Sequence, residues 1–91
     1  MDLKSLLAKG ALIVDVREDF EFLEGHADNS INIPLGQIPF KVNQLKQEQK
    51  PIIVCCRSGA RAESALSSLQ RAGIEAYNAG SWTNVQEMLV A

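Results

Sequence analysis

Cys56-Arg57-Ser58-Gly59-Ala60-Arg61 is the stretch of this chain best suited to chemistry. It follows the apolar run Pro51-Ile52-Ile53-Val54-Cys55 and leads straight into residues of helical spacing. A cysteine at a strand end, then a short glycine-containing turn, then a helix start sets one sulfur over backbone N–H groups. Those groups have no partner within the helix and carry the positive end of its dipole. An anion or a thiolate is stabilised in such a place. Arg57 and Arg61 make the local field positive although the chain as a whole carries a net charge of −2. The pattern predicts that Cys56 is reactive. The competing reading is a packed thiol ending a core strand, a common state of free cysteine. Cys55 lies inside the strand and is predicted to face the core.

The two cysteines are adjacent, and neighbours in a strand point to opposite faces, so a disulfide between them would need a strained ring. There is one histidine, His26, and no C-x-x-C pair, so neither a zinc site nor another metal or cofactor is expected. Two free thiols point to a reducing compartment. The opening Met1-Asp2-Leu3-Lys4 lacks the basic and long apolar regions of a secretory signal, which makes a cytoplasmic location the expectation.

The elements that must hold this loop alternate between strand and helix patterns, as in an α/β fold with a mostly parallel sheet. Leu3, Leu6 and Leu7 have helical spacing, with Gly10 where a C-terminal cap falls. Ala11 to Val16 reads as a strand, and Phe20 and Phe22, among charged neighbours, as a short helix closing at Gly25. Ser30 to Ile33 is a short strand stopped by Pro34, and Gly36 to Lys46 a weaker helix. Ile52 to Cys55 is the clearest strand. Ala62, Ala65, Leu66, Leu69 and Ala72 then predict a helix capped at Gly73, followed by a strand from Ile74 to Asn78. Gly80 is expected in a turn, with Trp82, Val85, Met88 and Leu89 in a closing helix packed on the core.

Ninety-one residues, 46% of them hydrophobic, suffice for one domain, residues 1–91, with a core that needs no metal or disulfide. The mild acidity gives no reason to expect a nucleic-acid or anionic-membrane partner. No apolar run is long enough to span a bilayer. Six of the eleven acidic residues fall between Asp15 and Asp28. Such a cluster is ordinarily a solvated face; the sharper reading is a docking surface for a basic partner.

Several of these stretches together resemble the rhodanese family of sulfurtransferases. Leu12 to Arg17 resembles its D-V-R strand end, and Glu24-Gly25-His26 its E-G-H turn. Ser30 to Leu35 resembles its A-x-N-I-P-L strand, and Ile53 to Ala62 its V-x-C-R-S-G-x-R loop; Gly80-Ser81-Trp82 sits where the family often has two glycines and a nearby tryptophan. The resemblance implies a three-layer fold, a parallel sheet of four or five strands with helices on both faces. The short N-terminus leaves little room for a first edge strand. Two departures stand out: Ala27-Asp28-Asn29-Ser30 replaces the usual I-P-G-A after the histidine, and Ser81 replaces a second glycine.

The resemblance further implies that Cys56 takes the outer sulfur of a small anionic donor such as thiosulfate as a persulfide. A small thiol, cyanide or a protein thiol would then accept it. Arg57, Ser58, Gly59, Ala60 and Arg61 would bind the substrate, the loop amides holding the negative sulfur. Arg57 is placed to attract the donor. Arg61 falls in a first helical turn, where a cation is unfavourable, and is expected to pair with Asp15 or Glu63 and brace the loop. Asp15 and His26 are expected to be structural. Phosphatases and arsenate reductases of the same fold use a loop one residue longer, Cys-x5-Arg, against Cys-x4-Arg here. A sulfur carrier and a non-catalytic binding module are competing readings of the same fold. A monomer or weak dimer is expected.

Overall fold

The computed structural model describes residues 2–90. Its elements run α1 (Leu3–Ala8), β1 (Leu12–Asp15), α2 (Asp19–Glu24), β2 (Ile31–Asn32), α3 (Ile38–Gln47), β3 (Ile52–Cys56), α4 (Ala60–Arg71), β4 (Ala76–Ser81) and α5 (Trp82–Val90). The four strands form one parallel sheet in the order β2-β1-β3-β4. This is the expected α/β layering in its four-strand form. No helix among the described residues is long and apolar enough to cross a membrane.

The two-residue period of β3 sorts the core. Ile52, Val54 and Cys56 pack with Ala62, Ala65 and Leu69 of α4 and with Ile38 and Leu45 of α3. Ile53 and Cys55 point the other way, into a second cluster with Leu6 of α1 and Val85 of α5. All five β3 residues are buried, which is why the strand reads as an unbroken apolar run. Because every strand is parallel, the loops after β1 and β3 and the start of α5 share one end of the sheet, the end where open α/β sheets bind ligands. Helix α2 lies at that end and buries none of its residues.

Several boundaries differ from expectation. Ile74 does not begin the last strand. Its N–H donates to the Leu69 carbonyl (3.1 Å) and that of Gly73 to Gln70 (3.0 Å), a Schellman closure of α4 that uses Ile74 in the helix cap. The strand therefore starts at Ala76, and it continues through Gly80 where a turn was expected. Between the pairs Val54–Asn78 and Cys56–Ser81, β4 holds one residue more than β3. Gly80 takes up this bulge with φ of +80°. Leu35–Gln37 forms a turn of 3-10 helix, and α3 begins only at Ile38, with Pro39 in its first turn.

Candidate active site

Cys56 is the last residue of β3, on the α4 face, and only 1% of it is exposed. The chain turns at Gly59, the N-cap of α4, with φ of +103°. This brings the Gly59 N–H to 3.0 Å from Cys56 Sγ, to which it donates. Burial by itself would push the Cys56 thiol up. The amides of Ala62, Gly59, Ser58 and Arg61 outweigh burial and hold the thiol below the ordinary cysteine range. Ala62 belongs to this cradle although the sequence placed the loop's end at Arg61. One residue earlier the balance reverses: burial, then the nearby Asp15 carboxylate, push the Cys55 thiol up to about 12. Both cysteines are free.

Of the two arginines, the structure separates a free one from a committed one. Arg57 is exposed and makes no ion pair among the described residues. Arg61 is held by Glu21, not by Asp15 or Glu63 as expected. Its Nη1 and Nη2 donate to Glu21 Oε1 and Oε2 at 2.7 and 3.0 Å. The reason is positional: Asp15 is already taken, and Glu63 faces Asn78 across α4 and β4. Glu21 also accepts from the Glu18 N–H as half of a capping box on α2 (3.0 Å). The Arg61 guanidinium, followed by the Glu18 amide, pulls the Glu21 carboxyl down to about 2. Ser58 and Ala60 are exposed on the loop.

Asp15 meets Arg17 instead. Arg17 Nη2 donates to Asp15 Oδ2 (2.8 Å), its Nε to both carboxylate oxygens (3.0 Å each), and its backbone N–H to Oδ1 (3.0 Å). The same Nη2 also reaches the Gly25 carbonyl (2.7 Å), and the guanidinium lies 5.1 Å from the Trp82 ring centroid. Trp82 thus starts α5, packs on the second core cluster and lines the mouth of the site at once. An open cleft of about 710 Å³ lies between α2 and the loop, walled by Arg57 and Arg61 on one side and by Phe20, Glu18 and Glu24 on the other.

Asn78 has a role the sequence did not disclose. Its Nδ2 donates to the Gly59 carbonyl and to Glu63 Oε1, both at 3.0 Å, while its Oδ1 accepts from the Gly80 N–H (2.8 Å). It ties the β4 bulge to the cysteine loop. Only the general preference of Asn for such backbone-bridging turns signals it. The two glycines it joins are in close contact: a Cβ built on Gly59 would stand 3.2 Å from Gly80 Cα, against backbone that cannot swing away. Gly59→Ala is therefore expected to cost about 1–3 kcal/mol, read as a shift of the urea midpoint. Reactivity of Cys56 should fall with it, because the displaced amide is the one on the sulfur.

A family model described as "Rhodanese-like domain" matches residues 1–88. The chain is 33% identical over 66 residues to the "Putative sulfurtransferase YtwF" of Bacillus subtilis, covering 72% of this chain and 63% of that protein. It is 32% identical over 87 residues to the "Putative thiosulfate sulfurtransferase, mitochondrial" of Schizosaccharomyces pombe, covering 82% and 60%. The chain thus spans less than two thirds of the length of either relative. Among solved structures, the rhodanese-related protein of Thermoplasma volcanium superposes with a TM-score of 0.75 at 30% identity, over 88% of this chain and 79% of that one.

Proposed function

We propose that this chain, which belongs to the rhodanese-like domain family, acts as a single sulfurtransferase domain that carries sulfane sulfur on Cys56. The observation that supports this most directly is the amide cradle around Cys56 Sγ, with the Gly59 N–H at 3.0 Å. A thiolate is the nucleophile such chemistry needs, and the cradle favours the thiolate without a general base. The thiolate attacks the outer sulfur of thiosulfate or a donor like it. A new S–S bond forms, the donor's S–S bond breaks, and sulfite leaves with that electron pair. The same amides then hold the negative outer sulfur of the persulfide. A thiol or cyanide attacks that sulfur in a second step and releases the Cys56 thiolate.

Arg57, which makes no ion pair among the described residues, draws the anionic donor in, whereas Arg61 braces the loop through Glu21. The test is intact-mass measurement after exposure to thiosulfate. The protein should gain one sulfur atom, lose it on addition of cyanide, and show ping-pong kinetics with the two substrates. A protein that stays at its starting mass over a range of thiosulfate concentrations would overturn the reading.

A further inference from the structure

The cleft lined by Arg57 and Arg61, which flank the Cys56 loop in sequence, is far larger than an inorganic donor requires. Its volume of about 710 Å³ falls in the ~300–1,000 Å³ range of clefts that take organic ligands. Its charges are also unequal once the pairs are removed. Arg17 is committed to Asp15 and Arg61 to Glu21, which leaves Arg57 facing Glu18 and Glu24. Helix α2 adds Asp19, and on the same short helix Phe20 is 64% and Leu23 79% exposed. An apolar ridge set among carboxylates that make no ion pair among the described residues, next to a cleft lined by the two arginines of the Cys56 loop, is a surface for a macromolecule of opposite charge.

We propose that the α2 face docks the sulfur acceptor, and that the acceptor is a protein segment whose cysteine is flanked by arginine or lysine and an apolar residue. The proposal rests on Cys56 carrying a persulfide. The acceptor thiol attacks the outer persulfide sulfur: a new S–S bond forms, the bond to Cys56 Sγ breaks, and Cys56 leaves as the thiolate the amides stabilise. The acceptor becomes the persulfide and retains the proton, so no oxidant or reductant is consumed.

The test uses protein loaded with thiosulfate and desalted, then mixed with a synthetic peptide holding one cysteine among arginines and a leucine. A second peptide has glutamates for the arginines, and glutathione serves as the small-thiol reference. Loss of sulfur is followed by intact mass. At low salt the basic peptide should discharge the protein about tenfold or more faster than the acidic one, with the advantage shrinking at high salt. Leu23→Ser, a change outside the cleft lining, should keep its rate with glutathione and lose several-fold with the basic peptide. A second arm needs no sulfur chemistry: the basic peptide with serine for cysteine should change the fluorescence of Trp82, the chain's one tryptophan, with a salt-dependent dissociation constant. Equal rates for the two peptides, or no salt-dependent fluorescence change, would overturn the docking proposal while leaving the sulfurtransferase reading intact. Failure to load would strike the latter, and the fluorescence arm would still decide on docking.

Discussion

Cys56→Ser is expected to abolish sulfur loading completely, whereas Cys55→Ser should still take up one sulfur atom per folded molecule. The two residues are neighbours of the same type, and composition alone gives them equal claims. Their environments do not. At Cys56 the amides of the loop outweigh the cost of burial and favour the thiolate; at Cys55 burial and Asp15 push the thiol to about 12. At neutral pH Cys55 is therefore a neutral thiol with almost no nucleophilic form. The same contrast fixes the pH dependence. Loading depends on the Cys56 thiolate, so its rate should rise with pH and reach half its maximum at a lower pH than an unperturbed cysteine would give. Serine at position 56 fits the space but is not ionised at these pH values. Serine at position 55 places a hydroxyl in an apolar cluster, at a cost of about 1–3 kcal/mol, so loading is scored on the folded fraction. Loading retained in Cys56→Ser and lost in Cys55→Ser would reverse the assignment.

The opposition of the two cysteines is legible in the sequence because it follows from the period of a strand, which does not depend on what packs against it. The parallel sheet and the strand-to-helix position of the loop are legible for the same reason: each is carried by local apolar spacing. Partnerships across the fold are not. Arg61 and Glu21 are forty residues apart, and a sequence offers no means of choosing Glu21 over Asp15 or Glu63. The choice depends on the loop after β1 turning α2 toward the start of α4, and on Asp15 being engaged by Arg17. Gly80 illustrates a subtler failure. A glycine at this point does signal a special backbone, but that backbone is a bulge inside β4 rather than a turn after it. Asn78 escapes a reading of the sequence in turn, since its function exists only because that bulge lies against Gly59.

Asp15→Ala is expected to be among the most destabilising single substitutions in this chain, by about 3–5 kcal/mol. Asp15 has no exposed surface and Arg17 is 5% exposed, so each depends on the other rather than on water. Alanine removes the acceptor of four Arg17 hydrogen bonds and leaves a buried guanidinium with the Gly25 carbonyl and the Trp82 face as its remaining partners. A domain of this size has a total stability of about 5–15 kcal/mol, and the loss corresponds to a fall in Tm of roughly 12–40 °C. The penalty lies in the orphaned cation, not in the worth of the pair, and this distinguishes it from simple loss of packing. Asp15→Ala combined with Arg17→Met should recover much of the lost stability, because the buried charge is gone with its partner. Urea denaturation of the wild type, both single variants and the double variant closes the cycle. A double variant no more stable than Asp15→Ala alone would show that the carboxylate acts through its contacts with the backbone. Recovery of stability need not restore the site. Arg17 also joins the turn at Gly25 to the ring of Trp82, so the double variant should fold with its cleft wall loosened, and Trp82 fluorescence should report the difference even where stability does not.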